Sequence, residues 1–438
     1  MIKILIFGIT GQDGSLLAKK ILNSKKKYKV YGVSRKKNYK NLKKLKIDEK
    51  IDFKHFDIIS KSKVEKTIKS IMPSYIYNLS GVTTIGESYK DPYYTYQSIC
   101  LGNLNILNTL ISLKKKSIKY FFASSAECFG NNLKGEVSEL TQMDPHNPYS
   151  LAKFNSMEMN KLYRKIFNLK CSNGILFNHE SFLRDDRYFT IKFIEQALKF
   201  KEKKINEIVI NNTKGFRNWG SANEYVDAIK LINESKFSDD FIIANNHTHS
   251  VNDFITTVKK ILKLKNLKIK ETMPVDTSSQ KGYGLKNFKV NNSKIKRVLK
   301  WHPNKNLEEI IIDILLNKFS YKTKWLNHAN EGKTKTCALE KIFDKLFCFT
   351  EPKKEIFLPK DLFLIRRLYS FDKLNGPIII NLEFLILILL NASINLWTPF
   401  LGDICPQYKK VKSSNFFKDW YLKRLVSTPQ WFTKILFL

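Results

Sequence analysis

The passage from Ile2 to Leu22 constrains this chain more than any other. An apolar run, Ile2–Phe7, leads directly into Gly8-Ile9-Thr10-Gly11-Gln12-Asp13-Gly14, and a helical pattern follows over Ser15–Leu22. Gly8, Gly11 and Gly14 permit a tight turn and the close approach of a pyrophosphate to the helix N-terminus, where unpaired N–H groups and the helix dipole favour an anion. Gly-x-x-Gly-x-x-Gly alone occurs in ordinary turns. Between a buried strand and a helix it marks a dinucleotide-binding loop, with Gln12 and Asp13 inside it. The apolar run is too short for the core of a signal peptide, which predicts a cytoplasmic protein.

The same alternation continues through the first 180 residues. Tyr28–Val33, Tyr75–Leu79, Tyr120–Ala123 and Gly174–Phe177 read as further strands, and Thr95–Leu113 and Tyr149–Phe167 as long helices. Strands separated by helices imply a parallel sheet with right-handed crossovers. The expected fold is therefore α/β: a doubly wound parallel sheet over residues 1–180, with a smaller mixed α/β substrate lobe over 181–325 interleaved with it. Residues 326–438 form an extension without a motif. Within it, Phe384–Gly402 carries no charge over nineteen residues, long enough to touch a membrane. Asn391, Ser393, Asn395 and Pro399 favour a packed helix instead.

A net charge of +36 would suit a nucleic-acid partner. However, only nine of the 76 basic residues are Arg, and the lysines are scattered instead of gathered with aromatics into a patch. No nucleic-acid role is expected. The six cysteines are widely spread without a Cys-x-x-Cys pair, so neither a metal site nor a disulfide framework is expected. Scarcity makes each arginine informative, because only its planar fork grips a phosphate with two parallel hydrogen bonds.

One arginine follows the second strand, in Ser34-Arg35-Lys36-Lys37. An acidic side chain there would suit the ribose hydroxyl of NAD, whereas Arg35 suits the 2′-phosphate of NADP. Asp57, after the next apolar stretch, is placed either to accept from an adenine amino group or to cap the helix that begins near Ser60. The most specific motif is Tyr149-Ser150-Leu151-Ala152-Lys153, which puts Tyr149 and Lys153 on one helix face behind Pro148. An ammonium near a phenol lowers its pKa, which lets the tyrosine act as a base. Ser124-Ser125-Ala126-Glu127 lies at the end of the fourth expected strand. Ser125 can hold a sugar hydroxyl while Tyr149 takes its proton. Glu127 adds a carboxylate that a simple dehydrogenase or epimerase does not need. A dehydratase needs one to remove a proton beside the new ketone and to help a hydroxyl leave as water.

These stretches resemble the GDP-mannose 4,6-dehydratase family. Gly8–Ser15, Gly86-Glu87-Ser88, Ile175–Ser181 (with Asn173 and Gly174 before it) and Arg217-Asn218-Trp219-Gly220 carry the likeness in family order over residues 1–325. The resemblance implies a GDP-mannose substrate, bound NADP, and a homo-dimer or tetramer. It implies catalytic roles for Ser125, Glu127 and Tyr149, with Lys153 on the nicotinamide ribose. Ile58, Leu79, Tyr94, His179 and Arg184 would join Arg35 and Asp57 around the cofactor, and Glu87, Ser88, Asn178 and Arg217 would face the nucleotide sugar. The chain departs from the family at Ser125, usually Thr, at Ala126, usually a small polar residue, at Asn218, usually Asp, and throughout Asn78–Thr84. Related nucleotide-sugar epimerases, or a non-catalytic membrane-associated protein on the same fold, are the alternative readings. Glu127 and the intact Ser125, Tyr149 and Lys153 speak against them.

Overall fold

A computed structural model of the protein describes residues 1–114, 117–210, 215–272 and 287–321. The extension from 326 onward, with Phe384–Gly402, lies outside the described residues. No helix among the described residues is long and apolar enough to cross a membrane.

Seven parallel strands form one sheet in the order Asp240–Ile243, Cys171–Leu176, Lys119–Ser125, Tyr75–Asn78, Ile2–Phe7, Tyr28–Ser34, Ile51–His55. Ile2–Phe7 shows why the sheet is covered on both faces. Its side chains alternate, so Ile4 and Ile6 enter one core cluster while Leu5 and Phe7 enter another. The first cluster packs under Gln12–Leu22 and Ala222–Glu234. The second packs under Lys61–Ile71, Gly102–Ser112 and Pro148–Phe167. A third cluster makes the smaller lobe, where Phe193, Phe254 and Ile311 join the helices Phe189–Lys201, Val251–Leu262 and Leu307–Asn317.

The strand order reverses between Ile2–Phe7 and Tyr75–Asn78. Ligands in doubly wound folds bind at the carboxyl ends of the strands beside such a reversal. Two strands of this sheet carry no clear signal in the sequence. Ile51–His55 is half exposed, with Asp52 and Lys54 facing water. Asp240–Ile243 closes one edge and carries the smaller lobe's chain back into the sheet. The expected helix Thr95–Leu113 is three pieces: Pro92–Tyr96, a π-turn at Gln97–Leu101, and Gly102–Ser112. The first helix begins at Gln12, inside the glycine loop, three residues before its expected start.

Candidate active site

The glycine loop has the geometry its sequence requires. Gly8 has φ +81°, and a side chain there would strike the Leu79 carbonyl at 2.4 Å. A Cβ on Gly14 would strike the Gly8 carbonyl at the same distance. Gly11 caps the helix without using a side chain, so its N-terminal N–H groups stay accessible to an anion.

Behind the loop lies a polar cluster. Asp13 Oδ2 is 3.0 Å from His179 Nε2, and His179 Nδ1 donates to the Phe177 carbonyl at 2.7 Å. Burial pushes the Asp13 carboxyl up, but the facing His179 charge and Arg184 outweigh it and hold the pKa at about 2. Burial opposes a charge on His179, and Asp13 more than restores it, raising the imidazole above its ordinary value. Gln12 donates to Asp13 Oδ1 at 3.1 Å and accepts from Ser181 at 2.9 Å. Arg184 stacks on the Tyr188 ring at 3.5 Å and lies 3.3 Å from Glu180. Lys318, from the end of the last described helix, donates to the Arg184 carbonyl at 2.8 Å.

A second cluster sits beyond the next strand. Arg35 lies over the Tyr94 ring at 4.8 Å and 4.0 Å from Asp57. The Tyr94 hydroxyl donates to Asp57 Oδ2 at 2.7 Å, and Asp57 Oδ1 accepts from the Ile59 N–H at 3.3 Å. Asp57 thus does not cap the following helix, whose N-cap is Ser60. Ile58 is buried, touching the position a side chain on Gly102 would take, and Leu79 backs onto Gly8. Arg35 keeps about half of its side chain exposed, so its fork is open to a ligand.

The expected reacting groups converge at the end of Lys119–Ser125. Ser125 closes the strand, and its hydroxyl accepts from the Glu127 N–H at 3.2 Å. Asn147 and Ser150 form a capping box, and Pro148 starts the helix, so Tyr149 is fixed in the first turn. Burial pushes the Tyr149 phenol above its ordinary value, a hydrogen bond with Ser125 works against this, and the nearby Glu127 carboxylate adds to it. Lys153 Nζ donates to the Ala123 carbonyl at 2.7 Å and lies 5.9 Å from the Tyr149 ring centre. Burial lowers the Lys153 ammonium to about 8. The expectation that Lys153 would hold the phenol low is therefore corrected. In the protein alone, desolvation dominates both groups.

The sugar-facing residues are less uniformly placed. Glu87 is ion-paired with Arg187 and accepts from Thr84 at 3.1 Å. Ser88 is fully buried, with its hydroxyl turned onto the Ile85 carbonyl of its own helix at 2.7 Å. The Asn178 carbonyl accepts from the Gly220 N–H at 2.8 Å, which ties the segment after Leu176 to Gly220–Ser221. Arg217 sits on Phe216–Arg217, paired antiparallel to His249–Ser250. Asn218 is a buried bracket, accepting from the Asn245 N–H at 2.7 Å and donating to the Asn245 and His247 carbonyls at 3.0 Å. Arg187 and Tyr188, which belong to no motif in the sequence, tie loop 181–188 to Glu87 and, at 3.0 Å, to Thr83. Arginine scarcity was a signal for Arg187.

A sequence model of the GDP-mannose 4,6-dehydratase family matches residues 5–314. The chain belongs to this family. A GDP-mannose 4,6 dehydratase of Drosophila melanogaster is 29% identical over 336 residues, covering 71% of this chain and 84% of its own. One from Arabidopsis thaliana is 29% identical over 319 residues, covering 70% and 87%. Among solved structures, a UDP-glucose 4-epimerase of Thermotoga maritima with UDP-glucose matches at TM-score 0.64 and 22% identity, over 73% of this chain and 99% of its own. A dTDP-glucose 4,6-dehydratase of Bacillus anthracis with NAD matches at 0.63 and 17%, over 75% and 100%. A protein from Pseudomonas aeruginosa complexed with NADPH matches at 0.60 and 15%, over 73% and 100%. These likenesses establish the fold.

Proposed function

We propose that this GDP-mannose 4,6-dehydratase works on NADP through Ser125, Glu127, Tyr149 and Lys153. The observation that carries the assignment is the convergence of Ser125, Glu127 and Tyr149 at one strand end, with the Lys153 amine buried behind them. The glycine loop fits a pyrophosphate, because no side chain could occupy Gly8 or Gly14. Arg35, propped on Tyr94 and partly exposed, fits a 2′-phosphate.

When bound, oxidised nicotinamide supplies a hydride acceptor, and the reduced ring returns that hydride. Ser125 holds the C4 hydroxyl of the mannose, and Tyr149, which burial keeps protonated in the protein alone, would accept its proton as the phenolate while C4 gives up its hydride, leaving a ketone. Glu127 then takes the C5 proton, now acidified by that ketone. It gives a proton to the C6 hydroxyl, which leaves as water. C6 would regain the hydride and C5 a proton equivalent to the one Tyr149 took, which resets the phenolate, so GDP-4-keto-6-deoxymannose forms with no net redox change. Lys153 orients the ribose from behind the phenol. Asn178 and Arg217 grip the nucleotide sugar, and Glu87 does so after exchanging Arg187 for substrate.

The test is incubation of the protein with GDP-mannose and mass detection of a product lighter by one water. Cofactor released by denaturation is identified at the same time. An unchanged sugar nucleotide, or release of NAD alone, would overturn the corresponding half of the proposal.

A further inference from the structure

A chain of polar side chains runs through the apolar core beneath the helix that carries Tyr149. Ser80 donates from Oγ at 2.7 Å and from its N–H at 3.2 Å to Asn78 Oδ1. Asn78 Nδ2 donates to the Tyr120 hydroxyl at 3.1 Å, and that hydroxyl donates to Asn103 Oδ1 at 2.6 Å. Asn103 Nδ2 donates to Asn160 Oδ1 at 3.1 Å, and Asn160 Nδ2 to Asn173 Oδ1 at 2.7 Å. Asn173 Nδ2 ends the series on Asp240 Oδ1 at 2.8 Å, an atom that also accepts from Arg164 at 2.7 Å. Every donor points the same way, toward the carboxylate. Tyr120, Asn103, Asn160 and Asn173 are 0% exposed.

We infer that this chain is a positioning device for the dehydration, setting the catalytic helix and the loop after Asn78 in one fixed relation. The inference rests on the assignment of Tyr149 and Lys153 and adds residues to it.

Three observations support it. Tyr149, Lys153, Ser156, Asn160 and Arg164 follow at intervals of three and four, so they share one face of Pro148–Phe167. The reacting end of that face is thus continuous with the end anchored by the chain. Next, the opposite terminus is Ser80, whose backbone backs directly onto Gly8 of the cofactor loop. Finally, the surroundings are apolar: Phe122, Ile106, Leu107 and Cys171 pack in the same cluster as Tyr120. An apolar face would accept small slides and rotations of the helix. A chain of buried amides is satisfied in one placement only, because any shift leaves a desolvated donor or acceptor unpaired. Alignment toward one carboxylate also lets each bond polarise the next.

The experiment is a double-mutant cycle on GDP-mannose turnover by the full chain with its cofactor. Tyr120→Phe removes the hydroxyl in mid-chain with little change of shape, and Asp240→Asn removes the terminal charge. Each single variant is expected to lower kcat by about tenfold, the worth of one buried hydrogen bond. KM for GDP-mannose should stay within about twofold, because the sugar-gripping residues are elsewhere. The double variant should be no slower than the slower single, since a broken chain has little left to lose. Losses that multiply, a change confined to KM, or singles at the wild-type rate would overturn the inference. If Tyr120→Phe does not fold, Ser80→Ala breaks the chain at its half-buried end and takes its place in the cycle under the same criteria. Absence of turnover in the wild type would sink the reading of the site, and this inference with it. Wild-type turnover with multiplying losses would sink the inference alone.

Discussion

The sheet half and the smaller lobe place their functional side chains by different means. In the sheet half most candidate groups sit at or just beyond a strand end or in the first two turns of a helix, backed by a close-packed core. Ser125 ends a seven-residue strand, and Tyr149 lies in the first turn of a twenty-residue helix with a full capping box. In the lobe the corresponding residues hang on two-residue strands, Phe216–Arg217 beside His249–Ser250 and His179–Glu180 beside Gly220–Ser221. Side-chain brackets, Asn218 and Asn245 above all, hold these segments instead of long ladders. The contrast suits the two tasks. Bond making needs fixed reacting atoms, whereas gripping a nucleotide sugar needs a surface that can adjust as the ligand enters.

That contrast can be broken at its strongest point. Glu127→Gln should lower the rate of dehydration by ~10²–10⁴-fold, the usual cost of one lost acid/base group, with KM little changed. Reduced cofactor should accumulate, because C4 oxidation does not need this carboxylate. Turnover near the wild-type rate would show that the sheet half does not hold the proton-transfer group. The lobe's counterpart is Arg217→Ala, expected to raise KM for GDP-mannose about 10–100-fold while leaving kcat within reach of wild type. A loss confined to kcat would erase the division between the two regions.

Arg35→Ala tests the rim of the sheet half. Removing a charge-assisted contact to a 2′-phosphate should cost about tenfold in preference for NADP over NAD. Equal weakening of both cofactors would place Arg35 away from that phosphate. The smallest effect concerns pH. The folded pKa of Lys153 is depressed from 10.5 to about 8. Between these values the unfolded chain binds more protons, so stability of the cofactor-free protein should rise with pH across this window. Turnover should fall as pH rises through about 8, where the ammonium is lost. A Lys153→Met variant should lack the stability slope. A parallel slope in both proteins would assign the titration to another group.

How much of this was visible in the sequence depended on locality. The glycine loop, the Ser125–Glu127 pair and the Tyr149–Lys153 spacing are each written within a few residues, and the structure sets Ser125, Glu127 and Tyr149 near one another. Ile51–His55 escaped notice because Asp52 and Lys54 break its apolar run at an exposed edge. The π-turn at Gln97–Leu101 left no mark, since one widened turn hardly disturbs a helical period. The amide chain was invisible for another reason. Asn78, Asn103, Asn160 and Asn173 are ordinary residues in a chain rich in asparagine, and only their meeting across separate elements gives them meaning. Ser88 shows the reverse case, a motif residue whose hydroxyl the structure turns back into its own helix.

Lys318 reaches from the end of Leu307–Asn317 to the carbonyl of Arg184 and to Asp186. This contact has a consequence for biosynthesis. The ribosome makes the glycine loop first, then Ser125 and Tyr149, yet the loop bearing Arg184 is not clamped until residue 318 has emerged. A nascent chain that already holds its first strands therefore still lacks the last fastening of its cofactor cleft. Domains fold as units during synthesis, with earlier segments waiting on later ones. In this protein the delay spans most of the translated family region, so saturable cofactor capture should be a late event on the ribosome.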